Sequence, residues 1–225
     1  MEEQRKPVKG HWIPFVTNTA FVLIALGAVA FGGTIVYAKM DKIDKTNQLA
    51  IANFTESNKR NILLKIIDSK MDIPIEQKVK LRDTIYDLAY IKEIPVSLIC
   101  GLVEVESGWN ANAVSEANAK GLFQTLPSTA RPYLRFERIE YNEKVLLDPV
   151  KSAIVGISLI SDLHAGHTEA GKNDSDFSLS LHSYFWGSNN TLQLYGKKDT
   201  RVNVPNMSYP IRVLDTAKKY KEMGL

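Results

Sequence analysis

The amino-acid sequence predicts an all-α protein, and three observations lead to this class. First, apolar residues recur three and four positions apart in several segments that are each long enough to form a helix. Second, prolines stand near the beginning of some of these segments and a glycine directly follows one of them, as at helix boundaries. Third, the sequence contains neither a series of strand-like alternating segments nor an internal repeat.

The N-terminal region predicts a membrane anchor. Residues 15–38 carry no charged side chain, and about 20 apolar residues at 1.5 Å each cross a bilayer core. Arg5, Lys6 and Lys9 precede this run, which favours a cytoplasmic N-terminus and an exported remainder. A cleaved signal peptide is the alternative, because residues 36–38 carry small residues at the offsets of a cleavage site. We therefore expect a cytoplasmic tail over residues 1–12 and a single-pass transmembrane helix, a signal anchor, over residues 13–38.

Residues 39–73 are predicted to form a helical stalk. The segment is polar, its apolar residues fall three, four or seven positions apart, and no proline interrupts it before Pro74. One expectation is a break near "TESN", residues 55–58. A flexible linker is the alternative to a helical stalk.

Residues 74–225 are predicted to form one helical domain. Pro95 separates its first two helices, and Gly108 provides the stop of the second. Pro132 is expected to kink or restart the helix that begins at Pro127. The predicted helices lie in the segments IEQKVKLRDTIYDLAYIKEI, PVSLICGLVEVES, PSTARPYLRF, DPVKSAIVGISLISDLHA, DFSLSLHSYFWG and PIRVLDTAKKYKEM.

The composition argues against several functional classes. The net charge of +3 is too small to indicate nucleic-acid binding, and basic runs with interleaved aromatics are absent. Cys100, the single cysteine, lies in an apolar run and is expected to behave as a small hydrophobe. His164 and His167 stand three positions apart, but Gly166 between them indicates a loop, so neither a metal nor another cofactor is predicted.

Two glutamates stand at the end of an apolar helical segment, in "VEVESGWN". Residues two positions apart on a helix point about 200° from each other, so Glu104 and Glu106 cannot face one cleft together. Glu106 follows Leu98, Leu102 and Val103 at helical spacing and should continue the inward-facing stripe. Glu104 is expected nearer to solvent.

The stretch "ESGWNANAVSEANAKGLFQTLPSTA" resembles the catalytic motifs of the soluble lytic transglycosylase (SLT) family, which is similar in fold to goose-type lysozyme. That family has a helix that ends in "ESG", followed by "GLMQ" and "P-T-A". Here "LLDPVKSAIVGISLI" resembles its "DP..NI..G..YL" segment, "LHSYFWG" takes the place of "AAYNAG", and "SYPIRVL" resembles "YV..VL". The resemblance covers about residues 80–220 and implies a lysozyme-like helical catalytic domain. Phe185 and Trp186 depart from the third motif.

The resemblance implies a peptidoglycan lytic transglycosylase, which cleaves the β-1,4 bond between MurNAc and GlcNAc and leaves 1,6-anhydro-MurNAc ends. Glu106 would be the single acid/base, because a carboxyl in an apolar pocket keeps its proton near neutral pH. Glu116 remains open as a second carboxylate. Tyr184 would orient Glu106 through a hydrogen bond from its phenol, and Trp109 would either stack on a sugar or fill the core. The expected substrate-binding residues are Ser107, Gly121, Phe123, Gln124, Tyr184, Phe185 and Trp186.

The predicted partners are peptidoglycan strands, the membrane and an envelope-spanning or virion assembly. The expected role is local opening of the cell wall, for a secretion or conjugation machine or for virion entry. The catalytic domain would lie outside the cytoplasmic membrane, with a virion membrane as the alternative location. A different functional class also stays open, since the altered third motif fits a degenerate domain that binds glycan or scaffolds an envelope complex without cleaving.

Overall fold

A computed structural model describes the backbone of residues 18–171, 173–195 and 207–225. Side chains are described for Thr34 and from Lys39 onward within these ranges, except for residues 192–195. These parts of the chain are helical apart from turns, loops and two isolated β-bridges that pair Lys120 with Val114 and with Thr125. The predicted all-α class is confirmed in them.

The described residues form eight α-helices and one 3₁₀ turn. They are α1 (Asn18–Lys70), α2 (Ile75–Ile91), α3 (Val96–Ser107), α4 (Pro127–Phe136), the 3₁₀ turn (Val145–Leu147), α5 (Pro149–Glu169), α6 (Ser178–Trp186), α7 (Ser188–Tyr195) and α8 (Ser208–Glu222). All six helices predicted for residues 74–225 are present, whereas α7 was not predicted. The expected break at residues 55–58 is wrong, because α1 runs through this segment, which contains neither proline nor glycine.

The chain divides into two compact units, residues 1–54 and residues 55–225, and the boundary lies within α1. In the first unit, the side chains of residues 39–54 are exposed. The predicted membrane segment is described only in part: residues 13–17 lie outside the described residues, and residues 18–38 are helical in their backbone. Among the residues that the structure describes, no helix has both the length and the hydropathy of a membrane span.

The core of the second unit is built around α3, in which residues 97–103 are all buried. Helix α8 packs directly on α3, since a Cβ atom at Gly101 would lie 2.8 Å from both the Ala217 nitrogen and the Val213 oxygen. Leu63 and Ile67 of α1 are also fully buried, so the last turns of the predicted stalk belong to this core. Helix α3 ends as predicted at Gly108, which adopts a left-handed conformation with φ +59°.

The loop between α3 and α4 is held by close backbone contacts. Gly121 has φ +76°, and a Cβ atom there would lie 1.8 Å from the Leu146 carbonyl oxygen, so this position requires glycine. Lys120 is buried beside it and donates to the carbonyl oxygen of Glu143 (3.1 Å) and to its carboxylate (2.8 Å). These contacts fix the loop against the segment before α5, and the loop in turn borders the end of α3.

Candidate active site

Glu106 occupies the last turn of α3 and is half-buried. The hydroxyl of Tyr209, in the first turn of α8, donates a hydrogen bond to its Oε1 atom. Burial raises the pKa of Glu106 to about 7, although the Tyr209 hydrogen bond and the nearby Arg212 cation both favour the ionised form. A carboxyl with this pKa is protonated in a substantial fraction of molecules at neutral pH, which suits a proton donor.

Aromatic rings continue the site from Tyr209 towards solvent. The ring of Phe185, at the end of α6, stacks on the Tyr209 ring with 4.6 Å between centroids and 20° between planes. Trp186 meets Phe185 edge-on, with 5.4 Å between centroids. Tyr209 is buried, whereas 54% of Phe185 and 40% of Trp186 remain exposed. The two residues that depart from the family's third motif thus form an exposed aromatic surface linked to Glu106 through Tyr209.

Tyr184 does not make the predicted hydrogen bond to Glu106, and this prediction is corrected. Its hydroxyl donates instead to the carbonyl oxygen of Phe123 at 2.7 Å. Burial raises the pKa of Tyr184 above its ordinary value, and the charge of Glu106 raises it further. The physical reason for the difference is that Tyr209 on α8 supplies the hydroxyl at Glu106, while Tyr184 on α6 holds the loop that carries Phe123.

The predicted substrate-binding residues around the "GLFQ" segment mainly hold the loop in the structure. Phe123 is fully buried and its ring lies against Gly156, so a sugar contact through this side chain is ruled out. Ser107 donates to the Leu122 carbonyl oxygen at 2.9 Å. Gln124 has φ +44°, and its amide donates to the carbonyl oxygens of Ala113 (3.1 Å) and Gly121 (2.9 Å). Direct contacts of Ser107, Gly121 and Gln124 with substrate stay predictions.

Glu104 lies nearer to solvent than Glu106, as predicted, but it is held by two partners. Its Oε1 atom accepts from Lys70 Nζ at 3.0 Å, and its Oε2 atom accepts from the Tyr220 hydroxyl at 2.7 Å. Trp109 is buried, with 1% of its surface exposed, and its indole donates to Tyr220 at 3.0 Å, so it belongs to the core and not to a sugar platform. Partial burial opposes ionisation of Glu104, but the Tyr220 and Lys70 contacts prevail and lower its pKa.

The other candidate groups have structural roles. His164 and His167 both lie on α5. The loop that was expected at Gly166 is absent, because the helix continues through this residue. His164 faces Asp174 at 3.2 Å, and His167 lies 2.8 Å from the Ser183 hydroxyl. Within the described ranges, no group of three His, Cys, Asp or Glu side chains could hold a metal ion. Burial raises the pKa of the Cys100 thiol, which keeps it protonated in the core.

Tyr209 and Arg212 are the site residues that the sequence argument missed. Both lie in "SYPIRVL", the segment that resembles the family's last motif, so a signal for them was present. Their contribution could not be read from spacing, because α3 and α8 are about a hundred residues apart in sequence. Only the packing of α8 on Gly101 brings Tyr209 to Glu106.

The sequence matches one known protein family over the helical domain. The family described as Transglycosylase SLT domain matches residues 83–203, more than half of the chain. The chain therefore belongs to the transglycosylase SLT domain family, as the sequence motifs indicated.

The curated proteins that the chain resembles include lytic murein transglycosylases. The chain is 30% identical over 125 residues to membrane-bound lytic murein transglycosylase C of Histophilus somni, a match that covers 53% of this chain and 34% of that protein. It is 26% identical over 157 residues to a putative soluble lytic murein transglycosylase of Haemophilus influenzae, over 67% of this chain and 25% of that protein. The chain thus spans about a third or less of the length of these curated relatives.

One solved structure is also similar: an inactive mutant of lytic transglycosylase Slt from Pseudomonas aeruginosa. The TM-score is 0.45 at 23% sequence identity, and the match covers 63% of this chain and 22% of that one.

Proposed function

We propose that this protein is a peptidoglycan lytic transglycosylase in which Glu106 is the single acid/base. The observation that carries the proposal is the state of Glu106: half-buried, hydrogen-bonded by Tyr209, and with a pKa raised to about 7. Membership of the SLT family and the names of the relatives support the substrate class, a glycan strand of the cell wall.

In the first step, protonated Glu106 gives its proton to the oxygen of the β-1,4 bond between MurNAc and GlcNAc. The C1–O bond breaks, GlcNAc leaves with the proton, and the N-acetyl group of MurNAc stabilises the positive charge that develops at C1. Glu106 is then a carboxylate, and both the Tyr209 hydrogen bond and the Arg212 cation stabilise it.

In the second step, the Glu106 carboxylate takes the proton of the C6 hydroxyl on the same MurNAc. The C6 oxygen attacks C1, closes the 1,6-anhydro ring and restores protonated Glu106 without consuming water. A carboxyl with a pKa near neutrality suits both steps, since it donates a proton in one and accepts a proton in the other.

The exposed faces of Phe185 and Trp186 are suited to pack against sugar rings next to the scissile bond. Aromatic side chains offer a large apolar surface at low entropic cost, and these two are already ordered by contact with each other and, for Phe185, with Tyr209. Ser107 and Gln124 hold the loop at the end of α3, and their direct contacts with the sugar remain part of the proposal.

The decisive experiment compares Glu106→Gln with Glu116→Gln. The first substitution keeps the shape of the side chain and removes the proton donor, so the protein should fold normally and lose nearly all activity on purified peptidoglycan. Glu116 is exposed in the loop after α3, so its substitution should leave the rate nearly unchanged and serve as the control. Clearing of peptidoglycan by Glu106→Gln at a comparable rate would refute the assignment.

The products distinguish this reaction from hydrolysis. Mass spectrometry of digested glycan should show 1,6-anhydro-MurNAc ends, which lack the water that a hydrolase adds. Reducing ends with that added water would indicate a lysozyme-type enzyme and a second carboxylate at the site.

A glycan-binding protein without cleavage is the second candidate, and one observation favours it. Phe185 and Trp186 replace the residues typical of the third motif and expose a pair of rings, as a binding surface requires. A zymogram separates the two functions, because a pure binding protein would retain peptidoglycan without opening a cleared zone.

We also propose that residues 13–38 form a signal anchor, with the N-terminus in the cytoplasm and residues 74–225 outside the membrane. The uncharged run after Lys9 supports this location, and several relatives are named as membrane-bound. Anchoring would confine cleavage to nearby wall, as local opening for a secretion or conjugation machine or for virion entry requires. Membrane fractionation with N-terminal sequencing tests it, and a mature chain that begins at Lys39 would refute the anchor.

A further inference from the structure

Helix α4 presents a surface that the proposed active site does not use. Ala130 and Leu134 point into the core, whereas Phe136 is 84% exposed at the end of the helix, beside exposed Pro132. A single exposed apolar residue is common on protein surfaces and needs no function. What distinguishes Phe136 is that two grooves meet at it, one on each side.

The first groove lies between α4 and α5 and has a volume of about 610 Å³. Pro132 and Phe136 form its apolar wall, and Thr129, Tyr133 and Asp162 supply hydroxyl and carboxylate groups. Burial raises the pKa of Tyr133 to about 12, and the neighbouring Asp162 carboxylate adds to this effect. Lys92, Glu137 and Ser158 complete a lining that is mostly polar, so the groove places hydrogen-bonding groups beside one exposed ring, which suits a sugar ring with its hydroxyls.

The second groove, of about 630 Å³, lies on the other side of the same ridge and is lined by arginines. Arg131 and Arg135 stand beside Pro132 and Phe136 there. The Arg131 guanidinium lies 3.7 Å from the centroid of the Tyr141 ring, which holds it in place. Ordered guanidinium groups bind carboxylates well, so this side suits an anionic substituent.

The first groove shares helix α5 with the loop that borders the end of α3. The Phe123 ring lies against Gly156 of α5 and the Phe123 carbonyl oxygen accepts from Tyr184, while Ser158 and Asp162 of α5 line the groove. A polymer that is cut at Glu106 continues beyond the scissile bond, so the strand has further sugars to bind.

We propose that the Phe136 ridge on α4 is a second glycan-binding site that holds the peptidoglycan strand away from the scissile bond. A sugar ring packs on Phe136, its hydroxyls bond to Thr129 and Asp162, and Arg131 and Arg135 face the carboxylates of the attached peptides. This proposal rests on the proposed function for the identity of the polymer. It assigns to Phe136 affinity for long strands and no part in the bond cleavage.

The first test measures binding without cleavage. Full-length Glu106→Gln protein in detergent is sedimented with purified peptidoglycan, with and without Phe136→Ala. Loss of one ring contact of about 1 kcal/mol should weaken binding about fivefold. Tyr90→Ala is the matched control, because Tyr90 is 79% exposed at the end of α2 and lines neither groove. Equal binding of the Phe136→Ala and parent proteins would overturn the proposal.

The second test uses the active protein on two substrates. Phe136→Ala should raise KM for long glycan strands about fivefold and leave kcat unchanged, while both constants for a tetrasaccharide fragment stay at the parent values. An equal loss on both substrates would place Phe136 at the cleavage site and overturn the distal assignment. If the parent protein cleaves neither substrate, the proposed function fails, and the sedimentation assay still decides whether Phe136 binds glycan.

Discussion

Replacement of Tyr209 by phenylalanine tests how the pKa of Glu106 is set. The Tyr209 hydroxyl donates to the Glu106 carboxylate, and this hydrogen bond favours the ionised form against the effect of burial. Tyr209→Phe keeps the ring that stacks on Phe185 and removes only the donor. The pKa of Glu106 should therefore rise.

The size of the change follows from the strength of the lost bond. A hydrogen bond to a charged group contributes about 1.5–3 kcal/mol, and about 1.4 kcal/mol corresponds to one pH unit. Glu106 is only half-buried and Arg212 still stabilises its charge, so the lower end of this range applies, roughly one pH unit. Because the first step needs protonated Glu106, activity falls as pH rises through its pKa. The alkaline limb of the pH–rate profile should move upward by about that amount.

The assay is the rate of peptidoglycan cleavage from about pH 5 to pH 9, a range that brackets the Glu106 pKa. At the acid end Glu106 is protonated in both proteins, so any remaining rate loss there reports the positioning of the carboxyl. Tyr220→Phe is the matched control, since it removes a tyrosine hydroxyl that donates to Glu104 and not to Glu106. It should leave the alkaline limb of the pH–rate profile in place. An unmoved limb in Tyr209→Phe, or equal movement in both variants, would refute this account of the Glu106 pKa.

Two further predictions concern stability. Glu104→Gln should lower the free energy of unfolding by about 1–3 kcal/mol at pH 7. The pKa of the Glu104 carboxyl is lower in the folded than in the unfolded protein, so this carboxyl stabilises the fold above its unfolded-state pKa and loses that effect as pH falls. Urea unfolding near pH 3 should therefore show a smaller difference between Glu104→Gln and the parent protein. Gly101→Ala should destabilise the protein by about 1–3 kcal/mol, since the new Cβ atom would meet the α8 backbone. Gly166→Ala is the control, because Gly166 lies on a helix and no atom lies within 4 Å of the new Cβ. This substitution should stabilise the protein by about 0.4–1 kcal/mol in the same measurement. Equal destabilisation by both substitutions would contradict the packing argument.

Much of the helical fold could be predicted because its signals are local. Proline and glycine mark the boundaries of α3, and the apolar stripe of α5 is continuous. Helix α7 was missed because its eight residues offer neither a long stripe nor a proline at the start. The continuity of α1 into the core could not be predicted either, since burial of Leu63 and Ile67 depends on where α2 and α3 lie.

Predictions about the site held where they depended on the position of a residue on its own helix. They failed where a contact depends on how two helices distant in sequence pack together. The inward direction of Glu106 follows from its spacing on α3. The choice of Tyr184 as its hydroxyl partner rested on a motif position, and it failed because the closest phenol comes from α8. The exposed rings of Phe185 and Trp186 were identified as departures from the family, but their link to Glu106 through Tyr209 is a property of the packing.

Glu104 and Glu106 show how one short helix end can shift the pKa values of two carboxyls in opposite directions. Each accepts a hydrogen bond from a tyrosine of α8, Glu106 from Tyr209 and Glu104 from Tyr220, so the phenols cannot explain the difference. The difference lies in burial and in the cation: Lys70 reaches Glu104 at 3.0 Å, whereas the cation near Glu106 is an exposed arginine that does not offset burial. The pKa of Glu104 therefore falls and that of Glu106 rises, and this divergence fits a structural role for Glu104 and the proton transfer that we propose for Glu106.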